Sequence, residues 1–377
     1  MQANEAFEYQ WPYLLSFLPD RETLERSAWR MGALRRSREI TNAATLIKLA
    51  MVYGFCGYSL RATAAWAAAT GTCQISDVGL LNRLRSASDW LLEILSLKLA
   101  TRVAPPEQQC QSGLRVRLLD ATTLSKPGST GTDWRVHVAY DLALHRLASV
   151  EITDRSGGES LTRFHVGPGE LVVADRVYAT RRGFASVLSS GGHFLVRLIW
   201  SNVPLENADG TAFDLLAWLR SLPDATPTEA VVRVRLPNRS IAVVRVLARR
   251  KTEIAAEAAR AKLLRNASKH GQKIDPRSIE AAGYVFVVTS VPADQLSAAA
   301  GLDLYRYRWQ VEICFKDLKS LVSLDALSAK DPRLSVTFIA AKLLAALVIE
   351  DFTARYVSFF PWGYPTSRTT DLVLASS

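Results

Sequence analysis

The stretch from residue 114 to residue 200 constrains the fold most, because short β-rich runs alternate there with turns and helical segments. Three runs come first, LRVRLLDATTL, DWRVHVAYDLA and HRLASVEITD. After a short polar helix near ESLTRF comes ELVVADRV, and after a helix across RRGFASVLSS comes HFLVRLIW. This order predicts a mixed α/β sheet, and by itself it is compatible with more than one α/β fold.

In two of these runs an aspartate interrupts the apolar pattern. Asp120 interrupts the first run, and Asp175 interrupts the fourth. A carboxylate in a segment that is otherwise buried is costly unless it binds a cation, although a single Asp often just ends a strand or forms a turn. Neighbouring parallel strands lie about 4.8 Å apart, so carboxylates on two such strands could share a pair of metal ions.

A third acid lies in the segment YRYRWQVEICFKDLK, residues 305–319. Five of its polar side chains recur at steps of three or four residues, which return to one face of an α-helix: Tyr305, Arg308, Glu312, Lys316 and Lys319. Apolar residues follow the same rhythm one position earlier and predict a buried stripe: Leu304, Tyr307, Val311, Phe315, Leu318 and Val322. A carboxylate among cations and a phenol suits the handling of phosphate groups. The alternative is an ordinary charged helix with i,i+4 ion pairs.

These residues resemble the signature of the DDE transposases of bacterial insertion sequences, in the insertion-sequence-four group. The signature is Tyr, two residues, Arg, three residues, Glu, six residues, Lys. It is present without a gap at Tyr305, Arg308, Glu312 and Lys319, and Trp309 also suits the group. The sequences around the two aspartates look similar to the same family, and the resemblance covers about residues 110–325.

The resemblance implies an α/β fold with a ribonuclease H-like catalytic core interrupted by a β-rich insertion. An all-α N-terminal domain and a helical C-terminal tail flank that core. The expected boundaries are 1–110 for a helical DNA-binding domain, 111–202 for the first part of the core, 203–292 for the β-rich insertion with a basic helix, 293–330 for the core helix with the catalytic Glu, and 331–377 for the tail.

The resemblance also implies the chemistry. Asp120, Asp175 and Glu312 would be the catalytic residues and would bind two Mg²⁺ ions, or Mn²⁺ ions in their place. Magnesium prefers oxygen ligands. Water would cut the strand at the end of the element, and the freed 3′-OH would then join target DNA in the same site.

Other side chains are expected to contact DNA. Tyr305, Arg308 and Lys319 match family residues that contact phosphates near the cut, and Lys316 and Trp309 are assigned to DNA binding with them. Related enzymes form a hairpin on the flanking strand and flip a base into an aromatic pocket. Trp200, Trp218 and Trp309 are candidates for that pocket, although a place in the core is the stronger interpretation for Trp200 and Trp218.

Charge supports a polyanionic partner. Lys and Arg outnumber the acids by 46 to 36, which gives a net charge of +10. Residues 245–277 carry ten Lys or Arg against three acids, so the insertion is expected to close over DNA phosphates, with a solubilising surface as the alternative. The expected partners are double-stranded DNA, as terminal inverted repeats and target, and a second copy of the chain in a synaptic homodimer.

Several classes are not indicated. The glycine-containing stretches PGSTGTDW and GGES lack the Lys-Ser/Thr ending of a nucleotide-binding loop, so ATP use is not expected. The cysteines show no C-x-x-C spacing. The chain opens without a secretory signal, and the apolar segment VTFIAAKLLAALVIEDF is expected to be a core helix too short to span a bilayer. A cytoplasmic bacterial protein, associated with the nucleoid when bound to DNA and without a membrane partner, fits these features.

Alternatives remain at the level of residues and of function. Asp141 is the main competitor among the acids because it ends an apolar strand, and His137 is expected to be a structural histidine. A ribonuclease H-like nuclease without strand transfer and an inactive, domesticated DNA-binding protein are the two other functions.

Overall fold

The computed structural model describes residues 10–36, 38–102, 113–223 and 225–356. It divides into two compact units: Met1–Arg102 with Leu124–Asp133 and Asp317–Ser377, and Val103–Thr123 with Trp134–Lys316. We call them the helical unit and the sheet unit.

The helices and strands are as follows. The helices are α1 Arg21–Arg30, α2 Ala43–Phe55, α3 Leu60–Ala69, α4 Asp77–Ser86, α5 Ser88–Ala100, α6 Arg181–Ser189, α7 Leu215–Arg220, α8 Glu253–Lys269, α9 Pro276–Ala281, α10 Ala298–Arg306, α11 Trp309–Val322 and α12 Pro332–Tyr356. The strands are β1 Arg115–Leu124, β2 Trp134–Asp141, β3 Arg146–Asp154, β4 Glu170–Ala174, β5 His193–Arg197, β6 Thr228–Arg235, β7 Ile241–Arg250 and β8 Tyr284–Thr289.

The sheet unit is built on one eight-stranded sheet with the order β3-β2-β1-β4-β5-β8-β7-β6. Strand β4 pairs in parallel with β1 and with β5, whereas β5–β8, β8–β7 and β7–β6 are antiparallel. The central residues of β4 and β5 are buried, as continuous apolar strands require. The predicted mixed α/β sheet is therefore confirmed.

Two details of the sheet unit differ from expectation. The polar helix near ESLTRF is only a 3-10 turn, Leu161–Arg163. The strands β6, β7 and β8 lie within residues 203–292, the range expected as a β-rich insertion, and they extend the same sheet, because Leu195 of β5 pairs with Thr289 of β8. The alternation of apolar and polar residues along a segment predicts a strand, but it does not identify the edge of the sheet to which that strand adds.

The helical unit contains α1–α5 and α12. Helix α12 packs on α2 at Gly54, where an added Cβ would lie 2.9 Å from the Cβ of Ala341 and 3.1 Å from the carbonyl oxygen of Phe338. Only glycine allows the two backbones to approach this closely. Within α12, Lys342 is buried and donates to the carbonyl oxygens of Ser323 and Ala326, the latter at 3.2 Å.

Helix α12 has 25 residues and is long and apolar enough to cross a membrane, so the expectation that it is too short was wrong. However, 78% of its most apolar window is buried inside the protein. Burial of that kind is typical of the core helix of a globular unit, which is the role that the sequence predicted.

Candidate active site

The sheet brings two of the predicted acids onto neighbouring strands. Leu119 of β1 and Ala174 of β4 are partners in the parallel pair, and Asp120 and Asp175 directly follow them. Asp175 begins the 3-10 turn Arg176–Tyr178, and both acids are partly buried. The register of one parallel pair therefore fixes the relative position of these two carboxylates.

The segment 305–319 is not one continuous helix, so that expectation was wrong. Helix α10 ends at Arg306 and α11 begins at Trp309. Four i→i−3 backbone hydrogen bonds, donated by Tyr307, Arg308, Gln310 and Val311, tighten the chain between the two helices. This geometry is the tighter 3-10 type, so the side chains turn by more than an α-helix predicts.

The apolar stripe is largely confirmed. Val311, Phe315, Leu318 and Val322 are buried, and Leu304 and Tyr307 are half-buried. Burial of this stripe determines which face of α11 packs against the protein, because an amphipathic helix turns its apolar face away from solvent.

Arg308 in the turn and Tyr305 on α10 together contact all three acids. Arg308 lies with Nη1 at 3.6 Å from Oδ2 of Asp120, and its Nη2 donates to Oε1 of Glu312 at 2.5 Å. The hydroxyl of Tyr305 donates to Oδ1 of Asp175 at 3.3 Å. The structure thus brings together five of the predicted site residues.

The remaining predicted residues lie on α11. Trp309 is at its first turn with 48% of its surface exposed. Lys316 is exposed and Lys319 is partly exposed. Their assignment to DNA stays a prediction.

Burial and neighbouring acids disfavour the charged form of Asp120. Burial, reinforced by the charges of Glu159 and Glu312, raises the pKa of Asp120 to about 6, although the Ala121 N–H and the Arg308 guanidinium act in the opposite direction. Burial and the charge of Asp175 raise the pKa of Tyr305 to about 12, so its hydroxyl is a hydrogen-bond donor at neutral pH. Bringing a cation to the site would relieve the accumulated negative charge.

The sequence did not identify Glu159, whose charge contributes to the raised pKa of Asp120. It belongs to the GGES stretch, which was considered only as a nucleotide-binding loop. Burial and then the charge of Asp175 raise the pKa of Glu159. In the sequence, Glu159 is marked only by its place directly after two glycines and shortly after the third strand. Acids in ordinary surface loops often have such a place.

The competing residues have structural partners. Asp141 is buried. It accepts a hydrogen bond from Nε of Arg115 at 2.7 Å and further hydrogen bonds from the backbone N–H groups of Ala143 and Leu144. It caps a turn and is already neutralised by a cation.

His137 is fully buried and lies with Nε2 at 2.9 Å from Oγ1 of Thr153. Burial and the charges of Arg163 and Arg135 lower the pKa of His137 to about 4, so it is neutral at physiological pH. A buried neutral ring with a hydroxyl partner fits the structural role that the sequence predicted.

The donor chemistry of the acids fits divalent cations. Asp120, Asp175 and Glu312 offer only carboxylate oxygens, which Mg²⁺ and Mn²⁺ prefer. Among the residues that the structure describes, no three carboxylate, imidazole or thiol side chains lie close enough to hold one ion. The guanidinium of Arg308 supplies positive charge to Asp120 and Glu312 in this arrangement.

A cationic pocket of about 520 Å³ adjoins the acids in the sheet unit. It extends from Asp175 to α8, and five cations line it: Arg176, Arg197, Lys251, Lys262 and Arg308. Trp200 also lines it, with Nε1 donating to Oγ of Ser278 at 3.0 Å and the guanidinium of Arg277 4.3 Å from its ring centre. Trp200 and Trp218 also pack against the hydrophobic core, as expected.

Comparisons with known proteins show the family to which the chain belongs. A family model described as "Transposase DDE domain" matches residues 111–348. The chain is 38% identical over 362 residues to the InsL protein of insertion sequence element IS186A from Escherichia coli strain K12, covering 93% of this chain and 96% of that protein. It is also 38% identical over 363 residues to the transposase for insertion sequence element IS421 from Escherichia coli, with the same coverage. The resemblance found in the signature residues is thereby confirmed, and the chain belongs to the transposase DDE domain family.

Proposed function

We propose that this protein is a metal-dependent DNA transposase that cleaves the ends of its insertion element and transfers the 3′-OH ends into target DNA. Two observations carry the proposal: Asp120 and Asp175 follow paired residues of adjacent parallel strands, and Arg308 contacts both Asp120 and Glu312. A strand order of β3-β2-β1-β4-β5, with the acids on β1 and after β4, supports a ribonuclease H-like core.

Asp120, Asp175 and Glu312 would hold two Mg²⁺ ions, or Mn²⁺ in their place. When bound, such ions lower the pKa of the attacking water and stabilise charge on the leaving oxygen. The protein's own residues position the strand. Arg308 exchanges its carboxylate partners for phosphate oxygens, and Tyr305 holds the Asp175 carboxylate in place.

The DNA strand would run from the acids into the cationic pocket. Arg197 at the end of β5, Lys251 directly after β7 and Lys262 on α8 offer positive charge there. Counterion release by such side chains favours binding of a polyanion. Lys316 and Lys319 would neutralise phosphates along α11, and Trp309 would lie against the DNA. We place residues 1–110 on the DNA as a helical binding domain, with 203–292 as an insertion and 331–377 as a helical tail.

Joining two element ends implies a homodimer on DNA in a cytoplasmic, nucleoid-associated complex. ATP is not required, because the reaction exchanges one phosphodiester bond for another.

Alanine substitutions test the assignment of the acids. Each of Asp120→Ala, Asp175→Ala and Glu312→Ala is expected to abolish Mg²⁺-dependent cleavage of an element end while binding of that end persists. Asp303→Ala is a matched control, because this exposed acid lies on α10 and pairs with Arg306 at 3.7 Å. Persistence of cleavage in all three variants would refute the assignment.

A strand-transfer assay separates the two remaining functions. A labelled 3′-OH end should appear covalently joined to a recipient plasmid in the presence of Mg²⁺ and not with EDTA. Cleavage without joined product indicates a nuclease. Binding of the end by the wild-type protein without cleavage indicates an inactive DNA-binding protein.

A further inference from the structure

A second cationic pocket lies within the helical unit and has a volume of about 620 Å³. One wall is formed by α4 and the residues directly before it, and the other by the segment between α1 and α2. Among the described residues that line the pocket, one acid, Glu39, accompanies three arginines: Arg36, Arg38 and Arg83. The pocket therefore favours an anionic partner.

Helix α4 is packed on one face and exposed on the other. Leu80 and Leu84 are fully buried, and Oγ1 of Thr337 donates to the carbonyl oxygen of Leu84 at 2.7 Å. Val78 is 62% exposed, and Asn82, four positions later on the same face, is also exposed. A firmly packed helix thus presents an aliphatic side chain and an amide on its outer face.

The arginine-bearing segment is attached to α4 by a hydrogen bond. Nη2 of Arg83 donates to the carbonyl oxygen of Arg36 at 3.0 Å, which fixes the backbone of the segment beside the helix. The side chains of Arg36 and Arg38 are exposed. Gln74 and Asn82 line the same pocket, and their amides can both donate and accept hydrogen bonds. Positive charge and amide groups therefore lie together at one surface.

We propose that this surface reads base pairs in the major groove of the element's terminal DNA. We call it the α4 face, and it consists of Arg36, Arg38, Gln74, Val78 and Asn82. The proposal rests on the proposed function, since that function supplies the DNA end, and it names the residues that recognise that end.

The chemistry of the α4 face matches double-stranded DNA. The major groove admits an α-helix, an amide side chain pairs with the edge of adenine through two hydrogen bonds, and an aliphatic side chain contacts the methyl group of thymine. The first residues of a helix in the groove usually make these contacts, and Val78 and Asn82 lie in the first half of α4. The arginines contact phosphates beside the groove and set the position of the helix.

Binding of two duplexes in EDTA tests the reading of bases. The purified full-length protein is titrated with a labelled duplex of the element's end and with an unrelated duplex of equal length. We expect the wild type to prefer the element's end. Asn82→Ala should reduce this preference about tenfold and leave the affinity for the unrelated duplex unchanged. Gln74→Ala, which lies before the helix, should show the same selective loss.

Asn238→Ala is the matched control for base reading. Asn238 is an exposed asparagine between β6 and β7 of the sheet unit, so its loss should leave the preference between the two duplexes unchanged.

The salt dependence of binding tests the phosphate contacts. Arg38→Ala should weaken binding of both duplexes equally, and the slope of log affinity against log salt concentration should become shallower by about one. Arg26→Ala is the matched control, because Arg26 is exposed on α1, pairs with Glu22 and lies outside the pocket lining. Its slope should equal that of the wild type.

Four results would overturn the proposal. They are equal affinity of the wild type for the two duplexes, a wild-type preference in both Asn82→Ala and Gln74→Ala, an equal loss for both duplexes in these two variants, and a wild-type salt slope in Arg38→Ala. Cleavage is not needed for any of these measurements, because EDTA removes divalent cations. The strand-transfer assay on the wild-type protein therefore tests the proposed function separately.

Discussion

The two sides of the candidate site are positioned in different ways. On one side, Asp120 and Asp175 follow residues that are hydrogen-bonded across a parallel strand pair, so the backbone of the sheet sets their separation. On the other side, Glu312 is in the first turn of α11, has 52% of its side chain exposed, and is engaged by Arg308. A carboxylate fixed by strand register moves little, whereas one held by an exposed ion pair is easily exchanged.

This difference assigns separate tasks to the two sides. On the sheet side, burial first, and then the charges of Glu159 and Glu312, raise the pKa of Asp120. On the helical side, the guanidinium of Arg308 lies close to Asp120 and Glu312 and partly neutralises their negative charge. We infer that the sheet side holds cations and that the helical side completes the site with the DNA strand.

Substitution of Arg308 should have the largest effect. Arg308→Ala removes the cation that contacts both Asp120 and Glu312, and we expect cleavage to fall by about 10²–10³-fold, the usual cost of losing a preorganised charge at a reacting phosphate. Cleavage is measured in single-turnover assays on a labelled element end.

Arg306→Ala provides the matched control. Arg306 ends α10 two residues earlier, is 74% exposed and pairs only weakly with Asp303 at 3.7 Å. Equal losses in the two variants would show that Arg308 contributes only general positive charge, and the division between the two sides would then be abandoned.

The pH dependence of stability tests the sheet side. The pKa of Asp120 is about 6 in the folded protein against 3.8 for the unperturbed group, so between these values the folded state binds more protons than the unfolded state. The free energy of unfolding therefore falls as pH rises from about 4 to 6, by up to about 2 kcal/mol from this residue.

Asp120→Asn should remove this fall in the free energy of unfolding at higher pH. Above pH 7 in EDTA we expect the variant to melt a few degrees higher than the wild type, and at about pH 4 we expect the two to coincide. Asp303→Asn, an exposed acid on α10, serves as the control. A variant that melts below the wild type at every pH would mean that Asp120 is a stabilising residue, and the contrast with the helical side would disappear.

Charge reversal in the cationic pocket should have a smaller effect. Lys262→Glu places a carboxylate where α8 lines the pocket, and we expect binding of the element end to weaken about tenfold, with a shallower dependence on salt concentration. Lys269→Glu changes the same charge at the end of α8, outside the residues that line the pocket. If both variants bind DNA equally well, the strand does not pass through the pocket.

The sequence predicted the sheet and its acids because both signals are local. Alternating apolar residues identify strands, and a carboxylate within such a run stands out against its neighbours. The parallel pairing of β1 with β4 then brings Asp120 and Asp175 together as the pattern indicates.

The helix break at Tyr307 and Arg308 could not be predicted in the same way. Polar residues spaced by three and four positions fit an unbroken helix. In the structure a tighter turn occurs where Arg308 contacts Asp120, which lies nearly 190 positions away in the chain. The pairing of β8 with β5 is also long-range, so local sequence patterns do not predict it. Glu159 lies in a loop whose polar composition is ordinary, so nothing in the sequence distinguishes it.

Tyr305→Phe should give the smallest change and tests the hydrogen bond that the helical side donates to Asp175. The hydroxyl donates at 3.3 Å, which is long for an O–H···O hydrogen bond, so its loss should lower the rate of cleavage only about threefold. Tyr307→Phe is the matched control, because Tyr307 belongs to the apolar stripe and is half-buried. A loss of 10²-fold or more in Tyr305→Phe would show that Tyr305 positions Asp175 as firmly as strand register does, and the two sides would then differ less than the contacts indicate.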